Sequence, residues 1–258
     1  MSTPLKIYFA SDFHLGVPNY EKSLAREKRV VRWLEMVRHD ADEIYLVGDV
    51  WDFWFEYKSA VPRGSVRLLG KLAELSDSGI KLHFFTGNHD LWTFGYLEKE
   101  IGMKVYRAPI QREINGKKYF IGHGDGLGPG DKGYKRMKKL FTSPICQWLF
   151  ARVHPNLSIG VGNYFSQKSR IANVDEDKKF LGKEEWLSQY AHRKLNEAHY
   201  DYFIFGHRHL PLEITLNEKS CYFNLGEWIH YNSYGEISGD RFELKFFESE
   251  YTKAINLS

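Results

Sequence analysis

The chain has 258 residues, 43% of them hydrophobic and 16% aromatic, a composition that supplies a sizeable core and excludes a disordered or fibrous protein. Its net charge of +3 is unremarkable until it is mapped along the chain. No apolar run reaches the roughly 18 residues of a membrane span, and the first residues lack the apolar stretch of a secretory leader. Cys146 and Cys221 stand far apart in no ligand-like spacing and read as reduced, buried thiols of a cytoplasmic protein.

In chain order, 5–11 reads as a buried strand ending at Asp12-Phe13-His14, and a basic amphipathic helix follows over about 21–38. A short strand, 44–47, runs into Gly48-Asp49-Val50-Trp51-Asp52. The next helix, about 65–78, stops at Gly79, and the strand 81–86 ends at Gly87-Asn88-His89-Asp90. β character follows over 104–107, 111–114 and 117–122, with Asn115-Gly116 as a hairpin turn. The last of these strands ends at Gly122-His123-Gly124-Asp125.

Residues 126–173 differ in kind. They carry eight Lys or Arg against one acid, a charge of +7 that leaves the rest of the chain at −4. They are also rich in large apolar residues, and Pro144, Pro155, Gly160 and Gly162 divide them into three short helices. The stretch reads as a helical insertion into a single domain spanning 1–258, because both flanks belong to one sheet-based core. A helix over 183–199, a strand over 202–205 ending at Gly206-His207-Arg208-His209, and antiparallel strands over 213–216, 220–225 and 241–248 complete the chain. The alternation of strand and helix predicts an α/β layered fold, in which ligands gather at the carboxyl ends of strands.

Five clusters of Asp, Asn and His thus fall just past five strands. Each alone is weak, since an isolated Gly-Asp turn is most often just a turn. Together they combine carboxylate oxygen, amide oxygen and imidazole nitrogen without thiolate, a donor set for first-row divalent metals rather than Ca²⁺ or structural zinc. A carboxylate at the strand-end position of Asp49 suits the bridging of two ions. His39, His83, His154, His192, His199 and His230 lie outside the clusters and read as surface or core residues. The run Trp51, Phe53, Trp54, Phe55 reads as packing, with a substrate wall as the alternative.

The ordered motifs Asp12-x-His14, Gly48-Asp49-x-x-Asp52, Gly87-Asn88-His89-Asp90, Gly122-His123 and Gly206-His207-x-His209 resemble the calcineurin-like metallophosphoesterases over residues 5 to about 226. The resemblance implies a four-layer αββα sandwich carrying a helical lid. It also implies two ions bridged by Asp49, one held by Asp12, His14 and His209 and the other by Asn88, His123 and His207. Asp52, Asp90 and Asp125 would orient these ligands. His89 would protonate the leaving oxygen or stabilise charge on the phosphoryl group, with Asp90 holding its tautomer.

Within that superfamily, His123-Gly124-Asp125-x-Leu127 followed by Asp131-Lys132-x-Tyr134 resembles the opening of the lid in UDP-2,3-diacylglucosamine diphosphatases. Asn224-Leu225-Gly226-Glu227-Trp228 resembles that family's Leu-Gly-Asp-Trp stretch. This implies cleavage of a nucleotide-sugar lipid pyrophosphate in lipid A synthesis. The enzyme would work at the cytoplasmic face of the inner membrane, commonly with Mn²⁺, Fe²⁺ and Zn²⁺ being alternatives. Asn88, His89, Asp131, Tyr134, Ser169 and Asn173 would contact the substrate head, and the apolar lid residues the acyl chains. The basic, greasy insertion suits an anionic amphiphile better than a nucleic acid. Two positions depart from the best-known members, which have Arg after the ligand asparagine and Glu at the position of Asp52. The rivals are a phosphodiesterase, phosphatase or nuclease acting on another substrate, and a non-catalytic scaffold; a scaffold is expected to lose ligands, and all seven are present.

Overall fold

Strands buried on both faces need partners on both sides, and that requirement builds this molecule. The computed structural model describes residues 4–128, 132–177 and 179–257. In β1 (Ile7–Ala10), β2 (Glu43–Val47) and β3 (Lys81–Phe85), alternate residues turn to opposite sides. Tyr8, Ala10, Ile44, Leu46, Leu82 and Phe84 meet the apolar faces of α1 (Tyr20–Val37) and α2 (Val66–Asp77). Ile7, Phe9, Tyr45, Val47 and Phe85 turn inward instead, against a second sheet.

The first sheet is completed by β4 (Lys104–Tyr106), β10 (Ser233–Ser238) and β11 (Arg241–Phe246), in the order β11-β10-β1-β2-β3-β4. The second comprises β5 (Ile110–Ile114), β6 (Lys117–Ile121), β7 (Tyr202–Phe205), β8 (Pro211–Asn217), β9 (Ser220–Leu225) and β12 (Ile255–Leu257), in the order β12-β8-β9-β7-β6-β5. Its inner face supplies Tyr119, Ile121, Ile204 and Phe223 to the core between the sheets, and its outer face packs Phe120, Phe203 and Phe205 on α7 (Trp186–Leu195). The layers are therefore helix, sheet, sheet, helix, as expected.

Register decides where the loops arrive. Ala10 lies opposite Leu46 and Val47 opposite Phe85, so parallel β1, β2 and β3 end at one edge. In the second sheet Ile121 lies opposite Ile204, which brings the ends of β6 and β7 together. The Asn115-Gly116 hairpin forms as predicted, both residues having positive φ (49° and 78°).

Three expectations change. The insertion does fold as three helices, α4 (Lys132–Phe141), α5 (Pro144–Phe150) and α6 (Pro155–Asp177), the prolines opening the last two. However, Gly160 and Gly162 lie inside α6, which spans 23 residues. Gly162 serves close packing: a Cβ there would lie 2.3 Å from the Phe53 ring. The helix expected over 183–199 is broken at Glu185, between a 3-10 turn at Gly182–Glu184 and α7. Glu185 adopts ψ 110°, and its carboxylate receives Arg208 and the Leu181 amide. Strand β10 was not anticipated, because Ser-Tyr-Gly-Glu-Ile-Ser has no apolar run. It forms by pairing with both β1 and β11, and Gly235 leaves room for the Phe242 ring, which would lie 2.3 Å from a Cβ.

Candidate metal centre

The loops leaving β1, β2, β3, β6 and β7 converge at the shared sheet edge, and their backbones are unusual. Asp12, His14, Asp49, His207 and His209 all have left-handed φ, between 46° and 69°. Among the described residues only four other non-glycine positions do so, so the conformation concentrates here. Each such residue costs on the order of 1 kcal/mol or more, and the hydrogen bonds Asp12 N to Gly48 O (3.0 Å) and His14 N to Asp49 O (2.9 Å) help hold it. The preceding glycines act by absence of bulk. A Cβ on Gly48 would lie 2.5 Å from His123 Nδ1, and one on Gly87 2.1 Å from Asp49 Oδ1. Only glycine lets these loops approach so closely.

Three side-chain groups result, one of them His14, Asp52 and His89, and the other two meet at Asp49. Asp12, His14, Asp49 and His209 each offer a ligand atom, all within 4.8 Å of one another, and Asp49, His123 and His207 form the second such group. Asp49 is common to both. Asn88 joins the second, its Oδ1 lying 3.4 Å from His123 Nε2. In the first, His14 Nε2 and His209 Nε2 are 3.0 Å apart, and Asp12 Oδ1 lies 3.6 and 3.3 Å from them. That oxygen is buried with no hydrogen-bond partner among the described residues. Two imidazole nitrogens converging on an unsatisfied carboxylate oxygen are what a cation would satisfy. His123 donates Nδ1–H to Val47 O at 2.8 Å, which turns its Nε2 toward Asp49, 3.3 Å away. The residues present therefore fit a pair of divalent ions.

The electrostatics are those of a site short of positive charge. Burial favours a protonated Asp49, but the charges of His123 and His89 outweigh it and hold the carboxyl well below its ordinary range. Burial would likewise lower the His123 imidazole, yet Asp49 pushes it up to about 10. His207, buried and beside His123, is lowered to about 4. A divalent cation here would supply the positive charge that Asp49 otherwise draws from His123.

The surrounding carboxylates divide the work. Asp90 is raised to about 7 by burial and by the neighbouring charge of Asp49. It accepts from the amides of Gly87 (2.7 Å), Val50 (2.8 Å) and Asp49 (3.3 Å). It thus braces two loops against each other, rather than fixing the His89 tautomer as expected. His89 Nδ1 instead faces Asp52 O and Ser166 Oγ, both at 2.9 Å. Asp52 lies 3.6 Å from His14 Nδ1 and accepts from Ser166 Oγ at 2.6 Å. Asp125 accepts from Tyr134 Oη and Lys138 Nζ, each at 2.5 Å, joining α4 to the centre.

The expected lid contacts are only partly open to description. Tyr134 is placed as just stated; Asp131 lies outside the described residues, as do the side chains of Ser169 and Asn173, whose backbone belongs to α6. The aromatic run after Asp49 packs against the helical insertion. Phe150 packs on Phe55 and Trp92 at ring separations of 4.8 and 4.7 Å. The Trp92 indole donates to Phe141 O at 2.8 Å. The outer surface of the lid is apolar and basic: ten of the fifteen exposed large apolar side chains among the described residues lie between Met137 and Phe165, including Ile145 at 71% and Phe165 at 62% exposure.

Sequence reasoning missed two contributors. Ser166 carries no motif signal, being one serine among several in the insertion. Arg208 stood between two candidate ligands and could have been singled out. It is buried in a bidentate pair with Glu185 (2.9 and 3.0 Å) that anchors the 206–209 turn. Among the described residues no helix is long and apolar enough to cross a membrane.

A model of the calcineurin-like phosphoesterase family matches residues 5–211. The chain is 41% identical to the UDP-2,3-diacylglucosamine hydrolase of Porphyromonas gingivalis, across 94% of this chain and 98% of that protein. It is 27% identical to the enzyme of the same name from Photorhabdus laumondii, across 93% and 98%. To that of a Shewanella species it is 24% identical, across 93% and 96%.

Proposed function

Because the chain belongs to the calcineurin-like phosphoesterase family, we propose that it hydrolyses the pyrophosphate bond of UDP-2,3-diacylglucosamine, giving UMP and 2,3-diacylglucosamine 1-phosphate for lipid A synthesis. The observation that carries this reading is the 41% identity to a UDP-2,3-diacylglucosamine hydrolase over nearly the whole of both chains. The convergence of seven candidate ligands beneath an apolar, basic lid supports it.

In this reading the chain is one catalytic domain with a lid insertion. Asp12, His14 and His209 would hold one ion and Asn88, His123 and His207 the other, with Asp49 shared between them. Mn²⁺ is the preferred ion, with Fe²⁺ and Zn²⁺ as alternatives. When bound, the ions acidify water and compensate charge on the phosphoryl oxygens. The protein's part is to place them and the substrate. Asp49 is fixed by the His89 amide (2.9 Å) and by His123, so its two oxygens stay directed to both sites. His89, on the Asn88 loop, stabilises charge on the transferring phosphoryl group and on the departing 1-phosphate. Asp131, Tyr134, Ser169 and Asn173 bind the glucosamine phosphate, and the lid's apolar side chains hold the acyl chains. The same surface, with Lys135, Arg136 and Lys139, rests on the anionic cytoplasmic face of the inner membrane.

His89 in place of the arginine of the best-known members favours a second reading, hydrolysis of another phospholipid or nucleotide. Arginine is a fixed charge, whereas histidine can donate a proton. Turnover of UDP-2,3-diacylglucosamine, UDP-glucosamine and bis-nitrophenyl phosphate with Mn²⁺ separates the two. The lipid substrate is expected to be cleaved far faster than its deacylated counterpart; equal rates overturn the assignment.

A further inference from the structure

We infer that Ser166 is a positioning residue through which the docked lid sets the orientation of His89. The Asp52 carboxylate stands beyond hydrogen-bond reach of His89 Nδ1, its Oδ1 lying 4.0 Å away. The Ser166 hydroxyl fills the gap. It donates to Asp52 Oδ2 at 2.6 Å, which leaves its oxygen to accept Nδ1–H of His89 at 2.9 Å. The Asp52 carbonyl offers a second acceptor to the same Nδ1–H at 2.9 Å. Both partners can only accept from that nitrogen in this arrangement, so the proton is fixed on Nδ1. Ser166 is only 9% exposed, although Tyr164 and Phe165 beside it are each 62% exposed. The helix thus turns one small polar side chain inward at this point.

The hydroxyl arrives from a separate element. Ser166 is on α6, whereas Asp52 and His89 follow β2 and β3. Helix α6 is seated by Gly162 against Phe53 and by Ser158 hydrogen-bonded to Tyr57. Docking α6 completes the Asp52–Ser166–His89 chain, and lifting it opens that chain. The ring would then be held by the Asp52 carbonyl with the carboxylate out of reach. Turnover on any phosphoester is thereby tied to the lid position, whether or not the substrate itself touches α6.

This inference rests on the phosphoesterase reading but not on the lipid substrate, so the test uses bis-nitrophenyl phosphate with the Mn²⁺-loaded protein. Ser166→Ala is expected to lower kcat about 10-fold, the scale of losing an outer hydrogen-bond partner, with KM and metal content unchanged. Thr142→Ala, which removes a hydroxyl bonded only to the insertion's own backbone (Lys138 O, 2.8 Å) and outside the seat of α6, is expected to keep kcat. In a His89→Ala background, Ser166→Ala is expected to cost nothing further, because it acts through the missing ring. An unchanged kcat in Ser166→Ala, an equal loss in Thr142→Ala, or additive losses in the double variant each overturn the inference. If the protein cleaves the diester with this pattern but not UDP-2,3-diacylglucosamine, the substrate assignment fails while the role of Ser166 stands.

Discussion

Replacing Gly162 by alanine probes how closely the lid is keyed to the centre. The added Cβ would sit 2.3 Å from Cε2 of Phe53, with two further ring atoms at 2.5 and 2.6 Å. Carbon atoms rest about 3.5–4.0 Å apart, so the helix or the ring must yield by about 1.3 Å. Phe53 is confined, its ring lying 5.9 Å from that of Trp92 and 6.3 Å from that of Phe150. Overpacking of this kind costs about 1–3 kcal/mol, and the better helix propensity of alanine offsets about 1 kcal/mol of it. A net cost of about 1 kcal/mol, borne by docking of α6, lowers the ratio of docked to lifted lid roughly five-fold. A shift of that size also stretches the 2.9 Å Ser166–His89 bond beyond hydrogen-bond reach. Amide hydrogen exchange should therefore quicken between Pro155 and Ser166 while β1 to β3 keep their protection. In parallel, kcat on bis-nitrophenyl phosphate should fall several-fold. Unchanged exchange in α6 together with unchanged kcat would refute the reasoning.

Asp49→Asn should abolish turnover and weaken both metal sites together, since one carboxylate serves both groups; Mn²⁺ titration with near-full activity retained would rule out a shared bridge. His89→Ala should cut turnover by roughly 10²–10⁴-fold with metal content intact, measured by steady-state kinetics beside elemental analysis. Glu43 ties β2 to Arg112 on β5 (2.8 Å) and to His83 (2.9 Å). Burial would raise its carboxyl, but Arg112 and His83 outweigh this and hold it well below the ordinary 4.5. Its stabilisation is thus complete above about pH 4.5 and is lost as pH falls through the depressed value. Glu43→Gln should cost about 2 kcal/mol at pH 7, below the range for a fully buried pair because Arg112 is partly exposed, and the Tm gap to the parent should narrow in acid. A gap independent of pH would count against this account.

The candidate ligands were legible because donor residues and glycines recur just past strands whose apolar runs are themselves unmistakable. The layered α/β class followed from the same runs, whereas the four-layer order rested on the family resemblance of the motifs. What stayed hidden depends on contacts between distant segments. The left-handed backbone at Asp12 or His209 is imposed by neighbouring loops, not by any local preference of Asp or His. Asp90 looked like a partner for the adjacent His89, yet the convergence of β2 and β3 gives it three amides instead. Gly162 looked like a helix break because Phe53, more than a hundred positions away in sequence, is what its missing side chain accommodates. Ser166 was silent for the same reason.

The loop after β2 places Asp49, Asp52, Phe53 and Phe55 within seven consecutive positions. The proposed cation site and the seat of the helical insertion are therefore one short piece of chain, and they cannot be exchanged separately. A lid grafted from a relative to alter substrate preference would arrive without its footing unless Phe53, Phe55, Tyr57 and Trp92 were replaced with it. Conversely, a graft that includes them alters the residues flanking Asp49, the carboxylate common to two of the candidate ligand groups. Redesign of specificity in this molecule has to treat the insertion and the 49–57 loop as a single exchangeable cassette.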